Sequence, residues 1–79
     1  MLVTGAQLRA ARAMAALDQE TLAGMSGISS NTIRKLEKVN GPLSGRVDTL
    51  RALQRALEAA GIEFINSERP GVRTRETVA

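Results

Sequence analysis

Apolar residues recur at intervals of three and four positions in four stretches of the chain, with polar residues between them. Side chains at this spacing share one face of a helix, so the pattern predicts four helices. They lie near residues 5–16, 19–25, 30–38 and 49–60. The apolar residues that we expect to be buried are Leu8, Leu22, Ala23, Ile28, Ile33, Leu36, Leu50, Leu53, Leu57 and Phe64.

The pattern changes to an alternating one after the fourth helix. Residues 62–65 predict a strand with Ile62 and Phe64 on one side, and residues 66–71 predict a turn. A return strand over 71–75 could place the side that carries Arg73 and Arg75 opposite Glu63. Because a lone hairpin is marginal in water, we expect this one to pack on the first and fourth helices or to pair with another subunit. Residues 76–79 are expected to be frayed.

Polar residues and glycines mark the ends of the predicted helices. Thr4 and Gln7 form a T-x-x-Q capping box for the first helix. Short oxygen-bearing side chains are expected to cap the next three helices, namely Asp18, Ser29 and Asp48. Glycines are expected to end the second and fourth helices, at Gly27 and Gly61. Residues 40–46 predict a loop by their glycine and proline content.

The composition limits the chemistry of this chain of 79 residues, which is long enough for one small domain. It has no cysteine and no histidine, which excludes disulfides, zinc-finger ligands and thiol or imidazole catalysis. It lacks a glycine-rich phosphate loop and repeated carboxylates at metal-binding spacing. With Phe64 as the one aromatic residue, it also lacks platforms for stacking single-stranded bases. We therefore expect neither an enzyme nor a cofactor site.

The charge balance favours an anionic partner. Eleven Lys and Arg residues against eight Asp and Glu give a formal net charge of +3 and a pI near 10.6. The chain contains no long apolar run, so the sequence predicts neither a signal peptide nor a membrane span. The expected location is therefore the cytoplasm.

Residues 19–37 predict two short helices joined by a tight turn at Gly27. Ile33 and Leu36 would hold the second of these helices against the first. Its other side carries short hydrogen-bonding side chains and cations, which are Ser30, Asn31, Arg34, Lys35 and Lys38. A helix with such an outer face is suited to the major groove of DNA.

Five positions of this stretch resemble the helix-turn-helix of the Cro/repressor (XRE-like) family, and they are Gln19, Ala23, Gly27, Ile33 and Leu36. The motif covers about a quarter of the chain, and helices of the expected length on both sides extend the resemblance to about three quarters. Ser26 departs from the family, which usually has an apolar residue there. The resemblance implies a mainly α, four-helix domain over 1–61, a β-hairpin extension over 62–75 and a flexible tail over 76–79.

The resemblance also implies roles for individual residues. The positions through which this family usually touches base edges are Ser30, Asn31 and Lys35. The expected phosphate contacts are Gln19, Ser29, Arg34, Lys38, Asn40 and Arg46. Asn suits adenine, and Lys suits guanine acceptors or a phosphate. Glu37 is the only acid between Ser29 and Asp48, so the basic character of this stretch exceeds that of an ordinary polar helix face.

Arg9 and Arg12 lie on the first predicted helix, away from its inward face. We interpret them as part of a solvated helix surface, with contact to the DNA backbone as the less favoured alternative.

Two functions remain open from the sequence. The favoured one is a bacterial, sequence-specific regulator of transcription that binds double-stranded DNA through helix 30–38, as a homodimer joined by the 62–75 hairpin. Whether it represses or activates is not encoded in these motifs. The alternative is an antiactivator, a module that uses the same scaffold or the hairpin edge to grip another transcription regulator.

Overall fold

The computed structural model of the protein describes residues 1–39, 42–66 and 70–75. It has the fold class that the sequence predicts, four helices followed by a two-stranded antiparallel hairpin. The elements are α1 (Gly5–Met14), α2 (Gln19–Ser26), α3 (Ser30–Glu37), α4 (Val47–Ala59), β1 (Ile62–Asn66) and β2 (Pro70–Thr74). None of the helices in the described ranges is both long enough and apolar enough to span a membrane.

Three of the four predicted N-terminal caps are confirmed. Thr4 and Gln7 form the capping box of α1, and Asp18 accepts a hydrogen bond of 2.6 Å from the Thr21 N–H at the start of α2. Ser29 accepts one of 3.2 Å from the Thr32 N–H at the start of α3. Each cap satisfies a backbone donor that has no partner within its helix.

The prediction that Asp48 caps the fourth helix is wrong. This helix begins earlier, with Arg46 at the capping position and no hydrogen bond from a capping side chain. Asp48 lies in the first turn instead, where its negative charge complements the positive end of the helix dipole.

The first helix is shorter than the predicted 5–16. It ends at Met14, and Ala16 has a φ of 58°, the left-handed conformation that terminates a helix. The Leu17 N–H then donates to the Arg12 carbonyl oxygen over 3.1 Å, which closes the end of the helix. Glycine usually occupies such a position because it lacks a Cβ atom, and its absence is why the sequence did not show this boundary.

α2 and α3 begin at the predicted residues, and the C-terminal ends of α2, α3 and α4 each differ by one residue from the predicted 19–25, 30–38 and 49–60. The turns after α2 and α4 are confirmed, since Gly27 and Gly61 have φ values of 75° and 95°. Helix ends are the least certain part of a prediction from periodicity, because the last turn of a helix often lacks an apolar residue that would show where the helix stops.

The core lies between the helices and the inner face of the hairpin. Five predicted core residues are fully buried, namely Leu8, Leu22, Ile33, Leu53 and Leu57. The other five are half-buried and pack against this cluster, and they are Ala23, Ile28, Leu36, Leu50 and Phe64. Four further residues complete the buried core, namely Leu2, Ala11, Ala56 and Ile62. Leu2 and Ile62 lie outside the helices, where a helical repeat carries no information.

The hairpin packs on α1 and α4, which was one of its two expected arrangements. Phe64 pairs with Val72, and Glu63 faces Arg73, on the predicted side of the return strand, with 2.7 Å between the Arg73 Nε and a carboxylate oxygen. Gln7 ties the hairpin to α1, because its buried side-chain amide donates to the Gly71 carbonyl oxygen over 3.1 Å. The residues predicted to be frayed, 76–79, lie outside the described part of the chain.

Candidate nucleic-acid interface

The turn between α2 and α3 is closed by the side chain of Ser26. Its hydroxyl donates to the Leu22 carbonyl oxygen over 2.8 Å and accepts from the Ile28 N–H over 3.2 Å. Gly27, in the left-handed conformation, then reverses the chain. Ser26 thus binds backbone groups on both sides of the turn.

The inner face of α3 is built around one buried acid. Ile33 is fully buried and Leu36 packs against the core, and Glu37 on the same side is only 5% exposed. A buried carboxylate requires partners that compensate for its lost hydration. α1 and α2 provide them.

Arg12 of α1 holds the Glu37 carboxylate in a two-pronged contact. The Arg12 Nε donates to one carboxylate oxygen over 2.7 Å, and Nη2 donates to the other over 3.0 Å. The third nitrogen, Nη1, donates to the Leu17 carbonyl oxygen in the α1–α2 turn. The hydrogen bond to Glu37 raises the pKa of Arg12 above its ordinary value. The interpretation of Arg12 as a solvated surface residue is therefore wrong, because it joins three segments of the chain.

Arg9 and Gly5 fix the C-terminal end of α3 to α1. The half-buried Arg9 donates from Nη1 to the Glu37 carbonyl oxygen, so it is not a simple solvated residue either. Gly5 is buried so closely against α3 that a Cβ atom there would lie 2.5 Å from the Leu36 carbonyl oxygen and nearer still to that of Val39. The orientation of α3 is thus set by its contacts with α1.

The outer face of α3 has no such partners. Asn31, Arg34, Lys35 and Lys38 are exposed, and Ser30 is half-buried at the first position of the helix. The four exposed side chains make no hydrogen bond or ion pair with any residue in the described ranges. Asn31 and Lys35 are one turn apart, as are Arg34 and Lys38, so the structure places two of the three predicted base contacts and two of the predicted phosphate contacts on one surface. We call these four residues the outer face of α3.

The remaining predicted phosphate contacts lie in different surroundings. Gln19 is the first residue of α2, and its amide donates to a Glu37 carboxylate oxygen over 3.1 Å. Ser29 uses its hydroxyl within the cap of α3, where it also donates to the Thr32 hydroxyl over 2.9 Å. Arg46 is exposed at the start of α4, and Asn40 lies outside the described residues.

The cations of this surface are not paired with acids. Glu37 is paired with Arg12 instead, and Asp18 stays ionised at the start of α2, because the backbone hydrogen bond from Thr21 lowers the pKa of its carboxyl below the ordinary value. Arg34, Lys35 and Lys38 have no acid paired with them among the described residues. A positive surface without internal partners can bind an anion without first breaking an ion pair.

Sequence reasoning missed the residues that position α3, which are Gly5, Arg9, Arg12 and Glu37. Arg12 and Glu37 are 25 positions apart, on different helices, and no periodicity links them. The one available signal was Glu37 itself. It is the only acid in a basic stretch, and it lies four positions after the inward-facing Ile33, on the same side of the helix.

No cluster of metal-binding side chains occurs within the described ranges. A scan of protein-family models and a search of curated proteins each found no match to this chain.

Proposed function

We propose that the protein is a sequence-specific regulator of transcription that inserts the outer face of α3 into the major groove of double-stranded DNA. The observation that supports this most is the contrast within one helix: the side facing α1 is held by a buried carboxylate and two arginines, and the other side presents an amide and three cations without internal partners. A rigidly held helix with adaptable polar side chains fits the requirements of groove binding. The proposed activity is binding, without catalysis, in the cytoplasm.

The proposed base contacts are Ser30, Asn31 and Lys35. Asn31 and Lys35 lie one turn apart on the exposed side, so both reach the same stretch of groove floor. An Asn amide can pair with the donor and acceptor of adenine, and a Lys ammonium with the acceptors of guanine.

The proposed phosphate contacts flank this reading surface. Arg34 and Lys38 are exposed on α3, and Arg46 is exposed at the start of α4. Gln19 donates one amide hydrogen to Glu37, and its second amide hydrogen remains available for a phosphate at the start of α2. Ser29 and Asn40 are included by the resemblance to the Cro/repressor family alone.

A dimer joined by the hairpin is part of this proposal, because one short helix reads too few base pairs for high specificity. Two copies would read half-sites about 34 Å apart. The Arg75 N–H donates to the Gly61 carbonyl oxygen, so the alternation of an antiparallel pair directs the backbone groups of Phe64, Val72 and Thr74 away from the hairpin. These groups make no backbone hydrogen bond to the described residues outside the hairpin, which leaves both edges open to pairing.

The same open edges favour the second candidate, an antiactivator that adds its hairpin to a sheet of another transcription regulator. In that case the hairpin, and not α3, would form the main contact.

Binding to duplex DNA across a range of salt concentrations separates the two candidates. The protein is titrated into its best duplex, selected from a random library, and into a scrambled duplex of the same composition. We expect binding that prefers the selected duplex and weakens steeply with salt, by about 0.9 units of logarithmic slope per phosphate contact. Sedimentation of the free and bound protein tests the dimer. An absence of duplex binding at low salt would favour the antiactivator.

A further inference from the structure

A second open surface lies between α2 and α4, away from the outer face of α3. It is a groove of about 520 Å³, which we call the α2/α4 groove, lined by Met25, Ser26, Ala52, Arg55, Ala56 and Ala59. Its α4 wall consists of three alanines at helical spacing, and its α2 wall ends in Met25, which is 46% exposed. Alanines allow another backbone to come close, and a Met side chain adapts its shape to a neighbour.

Two polar side chains line the groove, and only one of them has hydrogen-bond partners within the described residues. Ser26 uses its hydroxyl for the backbone of the α2–α3 turn. Arg55 is exposed and has no ion pair or hydrogen bond with any residue that the structure describes. The groove is therefore mainly apolar, and among the described residues Arg55 is the one charged residue that lines it.

The apolar lining and the single cation together indicate what kind of molecule would bind in the groove. A phosphate backbone would find only one cation among the described residues there, so nucleic acid is disfavoured. A second copy of the chain is disfavoured by charge, because two grooves facing each other would bring Arg55 against Arg55 of the other copy. An amphipathic helix with an acidic residue satisfies both features, since its apolar side covers the alanines and its carboxylate meets Arg55.

The groove borders the proposed DNA-binding surface and shares no residue with it. Gln19 and Arg46, the proposed phosphate contacts on these two helices, lie at the N-terminal ends of α2 and α4. At 1.5 Å per residue, Met25 is about 9 Å along α2 from Gln19, and Ala52, the groove residue nearest to Arg46 in the sequence, is about 9 Å along α4 from it. A helix in the groove therefore contacts none of the proposed DNA-binding residues directly.

We propose that the α2/α4 groove docks an acidic amphipathic helix of a protein partner, with a partner carboxylate on Arg55. This interaction goes beyond the proposed DNA binding and does not depend on it.

Two synthetic helical peptides of equal length serve as probes. They share an apolar stripe of Leu and Ala, and they differ only in carrying Glu or Lys beside this stripe. Each is titrated into the isotope-labelled protein while amide chemical shifts are recorded. We expect the Glu peptide to shift the amides of Met25, Ala52, Arg55 and Ala59, and to bind about two- to fivefold more tightly than the Lys peptide, as a partly exposed ion pair allows.

A charge reversal at Arg55 tests the proposed contact. Arg55→Glu is expected to invert the preference, so that the Lys peptide binds more tightly. Arg55→Gln is expected to abolish the preference, and Arg51→Gln is its matched control, because Arg51 is an exposed residue of the same helix that lines a different surface, with Met1 and Val47. Arg51→Gln removes the same charge, introduces no acid one turn from Arg55, and is expected to leave the preference for Glu intact.

Several results would overturn the proposal. Equal binding of both peptides, shifts confined to α3 or the hairpin, or an equal effect of Arg51→Gln and Arg55→Gln would each remove the role of Arg55. Shifts of the groove amides on dilution of the protein alone would assign the groove to a second copy, and shifts on addition of a duplex would assign it to DNA. Because duplex binding is measured separately, a failure here leaves the proposal for α3 untouched.

Discussion

The two sides of α3 differ in almost every physical respect. On the inner side Glu37 is 5% exposed and receives hydrogen bonds from Arg12 and Gln19, and its backbone carbonyl receives one from Arg9. On the outer side Asn31 and Lys35 extend into solvent with no partner among the described residues. Polar and charged residues of similar type thus have opposite roles, according to which way each side chain points.

This difference shows how a short helix can have a fixed orientation and still present side chains to a ligand. An eight-residue helix is marginal by itself, so its orientation comes from tertiary contacts. Here those contacts are polar as well as apolar, and they come from α1 and α2. Changes on the inner side are therefore expected to alter stability, and changes on the outer side to alter binding alone.

The largest effect is expected from Arg12→Ala, which leaves the Glu37 carboxylate buried without its cation. Loss of one partner of a buried pair costs about 3–5 kcal/mol, and we expect about 3 kcal/mol here because the Arg12 side chain is 24% exposed. Urea denaturation measures the loss. Lys38→Ala on the outer face is the control, expected within about 0.5 kcal/mol of the original protein. Equal stability of the two variants would show that the buried pair does not hold α3.

The next effect concerns the close approach of α1 to α3. Gly5→Ala places a Cβ atom against the Leu36 and Val39 carbonyl oxygens, and the forced shift is expected to cost about 1–3 kcal/mol. Gly24→Ala is the matched control, because Gly24 lies in α2 with open space around its Cα. There the same substitution is expected to stabilise by about 0.5–1 kcal/mol. Changes of the same sign in thermal unfolding would contradict the packing described for Gly5.

A smaller effect, of opposite sign, is expected at the end of α1. Ala16 has a φ of 58°, which costs a residue with a Cβ atom about 1 kcal/mol. Ala16→Gly is therefore expected to stabilise the protein by up to about 1 kcal/mol. Ala10→Gly, at an exposed position inside α1, is expected to destabilise it by about 1 kcal/mol. Destabilisation by both variants in urea would place Ala16 in an ordinary helical conformation.

The smallest effect is the pH dependence of the α2 cap. The Thr21 N–H holds the pKa of the Asp18 carboxyl below its ordinary value of 3.8. A lowered pKa in the folded state stabilises the protein above pH 3.8, and this contribution is lost as the pH falls through the lowered pKa. Asp18→Asn keeps an acceptor oxygen but cannot titrate. Unfolding measured from neutral to acidic pH is expected to show a shallower decline for Asp18→Asn, and parallel curves would exclude this contribution.

Much of the fold follows from local sequence patterns. The helices, the turn at Gly27 and three caps were predictable because each depends on residues within one turn of one another. The opposite charges of Glu63 and the Arg73/Arg75 side indicated which faces of the two strands pair, but not the register, because either arginine could have lain opposite Glu63. The early start of α4 and the early end of α1 were not, because Arg46 and Ala16 are not residues that usually mark a helix boundary.

The candidate site was predictable in its outer half only. Asn31, Arg34, Lys35 and Lys38 follow from the position of Ile33 and Leu36, since a helix with a known inner side has a known outer side. The contacts of Arg12, Arg9 and Gly5 with the end of α3 depend on how α1 crosses it, and no local pattern encodes a crossing. Contacts within the chain do not identify the ligand of the outer face of α3. DNA binding by this face is therefore a proposal, and binding experiments test it.

The most direct measurement compares the two kinds of residue on the outer face of α3. Asn31→Ala, Lys35→Ala, Arg34→Ala and Lys38→Ala are each titrated with the selected and the scrambled duplex at several salt concentrations. Loss of a base contact is expected to cost Asn31→Ala and Lys35→Ala about 1–3 kcal/mol on the selected duplex and less on the scrambled one. Arg34→Ala and Lys38→Ala are expected to weaken both duplexes alike and to reduce the salt slope by about one each. Unchanged DNA binding by Asn31→Ala and Lys35→Ala, or no duplex binding by the original protein, would contradict the assignment of α3 as the helix that reads DNA.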